Sequence, residues 1–235
     1  MCSKHGLNES DIIDQNMAIE IIKGYRLSIL KDKDKKTREK YISASEELFG
    51  KHWNELEHRS GLYGVMMSIY SLVGDIASCK DMMEFMKEHK VMNELDYNYL
   101  ISAYNSSKSL NYDRKWSQIC GVLSDMKKGG FKKNDVTYKY LLQIYSNVSH
   151  VSLKKIRKIY KQMMNDNVEL NGYMCNYMVN AGLKYFKKKE NVNEKDVRKY
   201  FNWIFDKTKQ NNVSLPERYI NEWEQDISKL IATKC

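Results

Sequence analysis

The sequence predicts an all-α fold, a solenoid of stacked helical hairpins, and three observations lead there. The 235 residues include one proline and eleven glycines, and Lys, Met, Leu and Glu, which favour helix, are abundant. No alternating β-branched run bounded by turn residues reads as a strand. One apolar template at helical spacing recurs along the chain, at roughly equal intervals.

That template places apolar residues at positions 0, +3, +4 and +7, one face of a helix. Cys79, Met82, Met83 and Met86 fill it, and so do Ile119, Val122, Leu123 and Met126. Ile156, Ile159, Tyr160 and Met163 are a third copy. Phe201, Ile204, Phe205 and Thr208 are a fourth, with a polar last member. Ahead of each copy stands a shorter pattern, two adjacent apolar residues with Tyr three positions on. It reads Met66-Met67 with Tyr70, Leu100-Ile101 with Tyr104, and Leu141-Leu142 with Tyr145. Met178-Val179 begins a fourth in which Gly182 replaces Tyr, and Ile21-Ile22 with Tyr25 is a looser early copy partnered by Tyr41 to Trp53. A lone hairpin cannot bury both of its faces, whereas stacked neighbours make a continuous core.

Short breaks separate the patterns. Gly74-Asp75 divides one pair, and Gly129-Gly130 ends a second helix. Asn193 with Asp196 resembles a capping box. Pro216 suits the start of a final helix whose face is Ile220, Trp223, Ile227, Leu230 and Ile231. The expected organisation is a flexible N-terminus over 1–14, a degenerate helical pair over 15–59, repeats over 60–215, and a capping helix with tail over 216–235.

The charge balance, 39 Lys+Arg against 30 Asp+Glu, gives +9 and is compatible with a polyanionic partner. The five cysteines are odd in number and far apart, without CxxC, which argues against a disulfide scaffold. Three of them are expected on apolar helix faces as small hydrophobes. The histidines show no metal-ligand spacing; His52 and His58 do not share a helix face. No metal or cofactor is expected. No apolar run approaches the roughly 18 residues that span a bilayer, and Glu9, Asp11 and Asp14 speak against a secretory or transit peptide within these residues.

The starts of the first helices carry a family resemblance. Asp96-Tyr97-Asn98-Tyr99-Leu100-Ile101-Ser102-Ala103-Tyr104 is similar to the opening of a pentatricopeptide repeat, commonly written VTYNxLIxxY, and Val136-Thr137-Tyr138 carries its VTY. Met126 to Asn134, with Gly130 inside it, resembles the repeat's ending MxxxGxxPD, and Met163 with Asn167 to Asn171 is a weaker copy. The likeness covers roughly residues 60 to 221. Tetratricopeptide repeats share the hairpin, but their Trp and small-residue register is not found. The usual proline near the repeat's end is missing, and the equivalent positions Gly64, Asn98, Lys139 and Asn176 are spaced 34, 41 and 37 apart. The extra residues are expected as loops between the two helices, at Asn105 to Asp113 and Lys187 to Asn193.

The resemblance implies a right-handed solenoid of about four repeats, with the degenerate pair before them and the capping helix after. It also implies that each repeat faces one base of extended RNA through a residue of the first helix and another at the repeat's end. The first-helix readers would be Gly64, Asn98, Lys139 and Asn176; their partners would be Asn93, with Glu94 its rival by one residue, Asn134 and Asn171, and the last near Pro216. Asn98 with Asn134 is the intact pair and would suit a pyrimidine, Lys139 would meet phosphate, and Gly64 cannot read a base. Leu95, Val136 and Tyr173 would sandwich the bases. Lys127-Lys128, Lys132-Lys133, Lys154-Lys155 with Arg157-Lys158, and Lys187-Lys188-Lys189 would supply phosphate contacts.

Enzyme signatures are absent from the sequence: no glycine-rich phosphate loop, Ser/His/Asp arrangement or HExxH. Asp32 and Asp34 sit in a charge run and read as a solvated loop. The expectation is a single-stranded RNA-binding protein, not an enzyme, acting on RNA in an organelle, with a ribosome or other RNA-protein assembly as a further partner and no membrane. By the resemblance the compartment is the mitochondrion, otherwise the cytoplasm. A helical scaffold for protein assembly is the alternative.

Overall fold

A computed structural model describes residues 14–52 and 60–235. Cys2, Trp53 and His58 lie outside the described residues, as does the expected flexible stretch except Asp14, which caps the first helix. Among the described residues there are eleven helices and no strand: α1 (Gln15–Lys31), α2 (Lys35–His52), α3 (Ser60–Val73), α4 (Ile76–Glu88), α5 (Glu94–Ser106), α6 (Tyr112–Lys128), α7 (Asp135–Asn147), α8 (Leu153–Asn165), α9 (Gly172–Lys188), α10 (Glu194–Gln210) and α11 (Glu217–Lys234). The chain divides into two compact units, Met1–Lys108 and Ser109–Cys235. That boundary falls inside the 60–215 stretch expected to be one run.

Within the first unit α3 packs on α1, α4 and α5, and α2 packs on α1. Within the second α9 packs on α7, α8, α10 and α11. The apolar templates supply the interiors, as their period requires. Cys79, Met83 and Met86 are buried, and so are Ile119, Val122 and Met126; Met82 and Leu123 are half-buried. Ile156, Ile159, Tyr160 and Met163 are all buried. Thr208, the polar member of the fourth copy, is buried too, and its hydroxyl donates to the Ile204 carbonyl at 2.9 Å. That bond lets a hydroxyl occupy a core position without an orphaned donor.

One turn closes four helices with the same hydrogen bonds. The amides of Val91, Phe131, Val168 and Val213 each donate at 3.0 Å to a carbonyl five residues back, on Met86, Met126, Met163 and Thr208. The residue before each, Lys90, Gly130, Asn167 or Asn212, has positive φ: 56°, 78°, 56° and 50°. Its own amide reaches back to Lys87, Lys127, Met164 or Lys209. This is the Schellman ending, in which a left-handed residue turns the chain and two helix-end carbonyls gain donors. The accepting carbonyls belong to the last members of the four apolar templates, so the pattern in sequence and the turn in space share one frame.

The fourth pattern lacks its tyrosine for a reason of packing. A Cβ at Gly182 would stand 2.3 Å from Tyr200 Cε1 and 3.0 Å from Phe201 Cε1. The Tyr200 ring from α10 fills the space beside α9, and its hydroxyl donates to the Met178 carbonyl at 2.9 Å.

Two expectations are corrected. The extra residues between paired helices are not all loop: α6 starts at Tyr112 and runs 17 residues, against 13 for α4 and α8, so the insertion there partly lengthens a helix. Of the described cysteines two, not three, are buried: Cys79 and Cys175 are inside, while Cys120 and Cys235 are exposed. The Asp32–Asp34 segment is the α1–α2 turn. There the Thr37 amide and hydroxyl donate to Asp34 Oδ2 at 2.8 and 2.7 Å and hold its carboxyl below the usual range.

Candidate nucleic-acid interface

Three asparagines begin three helices in the same way. Asn93, Asn134 and Asn171 are the N-caps of α5, α7 and α9, and each Oδ1 accepts a backbone amide of the first turn. The bonds are 2.8 Å from Leu95, 3.1 Å from Thr137 and 3.1 Å from Met174. At Asn93 and Asn134 the N3 side chain returns a bond to the cap amide, completing a capping box. Asn and Ser caps suit helix starts because their short side chains reach orphan donors. The shared cap position puts Asn93, rather than Glu94, level with Asn134 and Asn171.

Counted from the cap, Leu95, Val136 and Tyr173 occupy the second position, and Asn98, Lys139 and Asn176 the fifth. Leu95 is 50% exposed and Tyr173 71%, while Val136 is half-buried. In the second unit α7 packs along α9, so Val136 with Tyr173, and Lys139 with Asn176, are matching positions on adjoining helices. Asn134 and Asn171 line one shallow open depression with Lys133, Asn167 and Glu169.

The fifth positions differ in what they offer. Lys139 is half-buried and its Nζ lies 4.7 Å from the Tyr140 ring centroid. Asn176 accepts from Trp223 Nε1 of α11 at 3.1 Å, so its carbonyl oxygen is already engaged. Asn98 is 2% exposed: its amide is covered by the fold and can meet a base only after its neighbours move. Gly64, on α3, faces the buried Asp96 carboxylate, whose Oδ1 is 3.7 Å from where a Cβ would be. The sequence pattern places a residue on the right turn of the helix but does not reveal which neighbour covers it.

The basic clusters divide by task. Lys133 pairs with Asp166 at 2.8 Å, and its Nζ lies 2.5 Å from the Tyr138 hydroxyl, which itself donates to Asp166. Burial opposes the charge on Asp166, but the bonds from Lys133 and Tyr138 outweigh it and hold the carboxyl below its ordinary range. Lys184 donates at 2.6 Å to the Asn147 carbonyl at the end of α7, and Lys188 at 2.6 Å to the Ser149 carbonyl just beyond it. Lys155 lies 5.4 Å from the Trp116 ring and Arg157 5.1 Å from the Trp203 ring. Lys127, Lys132, Lys154, Lys158 and Lys187 are exposed.

The sixth position from each cap is not among the residues expected from the sequence. It is tyrosine in all three helices: Tyr99, Tyr140 and Tyr177. All are half-buried. In the second unit burial, and then the nearby hydroxyls of Tyr140 and Tyr173, push the Tyr177 phenol up. Tyr140, Tyr173 and Tyr177 therefore lie near one another on the packed pair α7 and α9. The signal was present in the sequence as a Tyr directly after Asn98, Lys139 and Asn176.

Among the described residues no group of three His, Cys, Asp or Glu could hold a metal ion, and no helix is long and apolar enough to cross a membrane. No protein-family model matches the chain, and no curated protein matches it.

Proposed function

We propose that this chain is a right-handed solenoid of stacked helical hairpins, of the pentatricopeptide type, that binds single-stranded RNA without catalysis. Its work would be RNA processing, stability or translation in an organelle, the mitochondrion first. Few equivalent positions are available to read bases, so affinity for a short strand alone selects a target poorly. A larger assembly, such as a mitochondrial ribosome, would then supply the rest of the selectivity.

The observation that carries this reading is the common cap frame of α7 and α9. In that frame Tyr173 matches Val136 and Lys139 matches Asn176 on adjoining helices. An extended strand needs that kind of regular, partly cationic track. The net charge of +9 acts in the same direction.

A second reading, a scaffold that binds protein on the same helices, is favoured by one observation. The oxygens of Asn93, Asn134 and Asn171 already serve caps, and Asn98 is covered. Titrating an unstructured RNA against salt separates the two. RNA binding predicts saturable association whose log K falls linearly with log salt, and Lys139→Ala should flatten the slope by about 0.7 for the one lost phosphate contact. A scaffold predicts no saturable RNA binding.

A further inference from the structure

We infer that the second unit holds single strands by stacking bases on a tyrosine platform, Tyr140, Tyr173 and Tyr177 with Lys139, rather than by reading their edges. This inference rests on the RNA reading above and narrows it to a sequence-tolerant mode.

Four observations lead to it. Tyr173 is the most exposed large apolar side chain described, at 71%. An aromatic face left in water on a helix start, beside further rings, is a surface shaped for a flat partner. Tyr173 and Tyr177 are four residues apart on α9 and therefore share a face. Tyr140 occupies on α7 the cap-relative position that Tyr177 occupies on α9, and the two helices pack together. Lys139 Nζ, 4.7 Å from the Tyr140 ring centroid, brings a cation to the edge of the same patch.

The groups able to discriminate between bases are committed elsewhere. Asn134 Oδ1 accepts from the Thr137 amide, Asn171 Oδ1 from Met174, and Asn176 Oδ1 from the Trp223 indole. A base edge would have to share oxygens that already serve a cap or an indole bond. Stacking needs neither, because every base has a π-face, and phosphate next to Lys139 adds a term blind to sequence.

The test measures binding of labelled oligonucleotides of about 10 nucleotides, within the usual span of a single-strand site, to the full chain. Oligouridine and oligocytidine are compared with an abasic strand of equal length. The platform predicts that the two pyrimidine strands bind alike and that the abasic strand is weaker by about fivefold or more, the low end of one stacked base. Tyr173→Ala, at an exposed site whose change leaves the core untouched, should lose affinity by a similar factor, and Tyr173→Phe should retain it. Tyr177→Ala is read beside the Tyr177→Phe variant, so that loss of the ring is distinguished from loss of the hydroxyl.

If oligouridine binds but the abasic strand and Tyr173→Ala bind equally well, stacking is overturned and the RNA reading stands. If uridine and cytidine strands differ by more than about tenfold, edge reading operates and the platform is overturned. If no single strand binds the wild-type chain, both readings fall together.

Discussion

Asp96 and Asp166 show how single carboxylates set the pH response of this fold, and they act with opposite signs. Asp96 is fully buried; its Oδ2 accepts the Asn93 amide at 2.8 Å while Oδ1 has no partner. Burial pushes its carboxyl up to about 6, against the lowering effect of that amide. The folded chain thus binds a proton more readily than the unfolded one, so Asp96 makes stability rise as pH falls from about 7 towards 4. Asp166 is depressed by Lys133 and Tyr138, so its contribution is present above the unfolded value and is lost as pH falls through the folded one. Asp96→Asn should raise the thermal midpoint at about pH 8, and the gain should shrink towards pH 5. Equal gains at both ends would show that the Asp96 charge is not what burial penalises. The helix starts at Asn93, Asn134 and Asn171 were legible in the sequence as Asn preceding helical patterns. That Asn98 is covered was not, because a residue on the right turn of a helix is hidden or exposed by its neighbours in space.

At the scale of the helix, glycine marks where two elements approach. Gly121 in α6 has open space around its Cβ position, whereas Gly182 in α9 faces the Tyr200 ring at 2.3 Å. Gly121→Ala should stabilise the chain by up to about 1 kcal/mol, the helix propensity difference. Gly182→Ala should destabilise it, because α9 and α10 must separate or Tyr200 must leave its place. Denaturant unfolding of the two variants checks both signs, and a stabilising Gly182→Ala would refute the packing described for Tyr200. The four Schellman endings mark the limit of sequence reading at this scale. Gly130 announces its turn, and Asn167 and Asn212 tolerate the same left-handed conformation, but Lys90 adopts it against its ordinary preference. Their place is set by distance from Met86, Met163 and Thr208, the last buried members of the apolar templates, and only the shared turn in space made that visible. The same limit explains α6: Asn105 to Asp113 resembled loop, although α6 already begins at Tyr112.

Across the whole chain, the apolar period of the helices was plain in the sequence because burial requires it, and it yielded the all-α class. The candidate surface was only partly legible. Tyr173, Lys139 and Asn176 were found from the frame of the first helices, while Tyr140 and Tyr177 were not singled out, because half-buried aromatics at helical spacing are ordinary core residues. The positive charge, spread as it is, would draw any polyanion, so attraction alone does not identify the binding face. The most direct measurement is photocrosslinking of a single-stranded RNA to the full chain, with the attached peptides identified by mass. The account predicts attachment in the first halves of α7 and α9, on the side of Lys139 and Tyr173. Attachment confined to α8 and α10, or none beyond what a double-stranded RNA of equal charge gives, would contradict it.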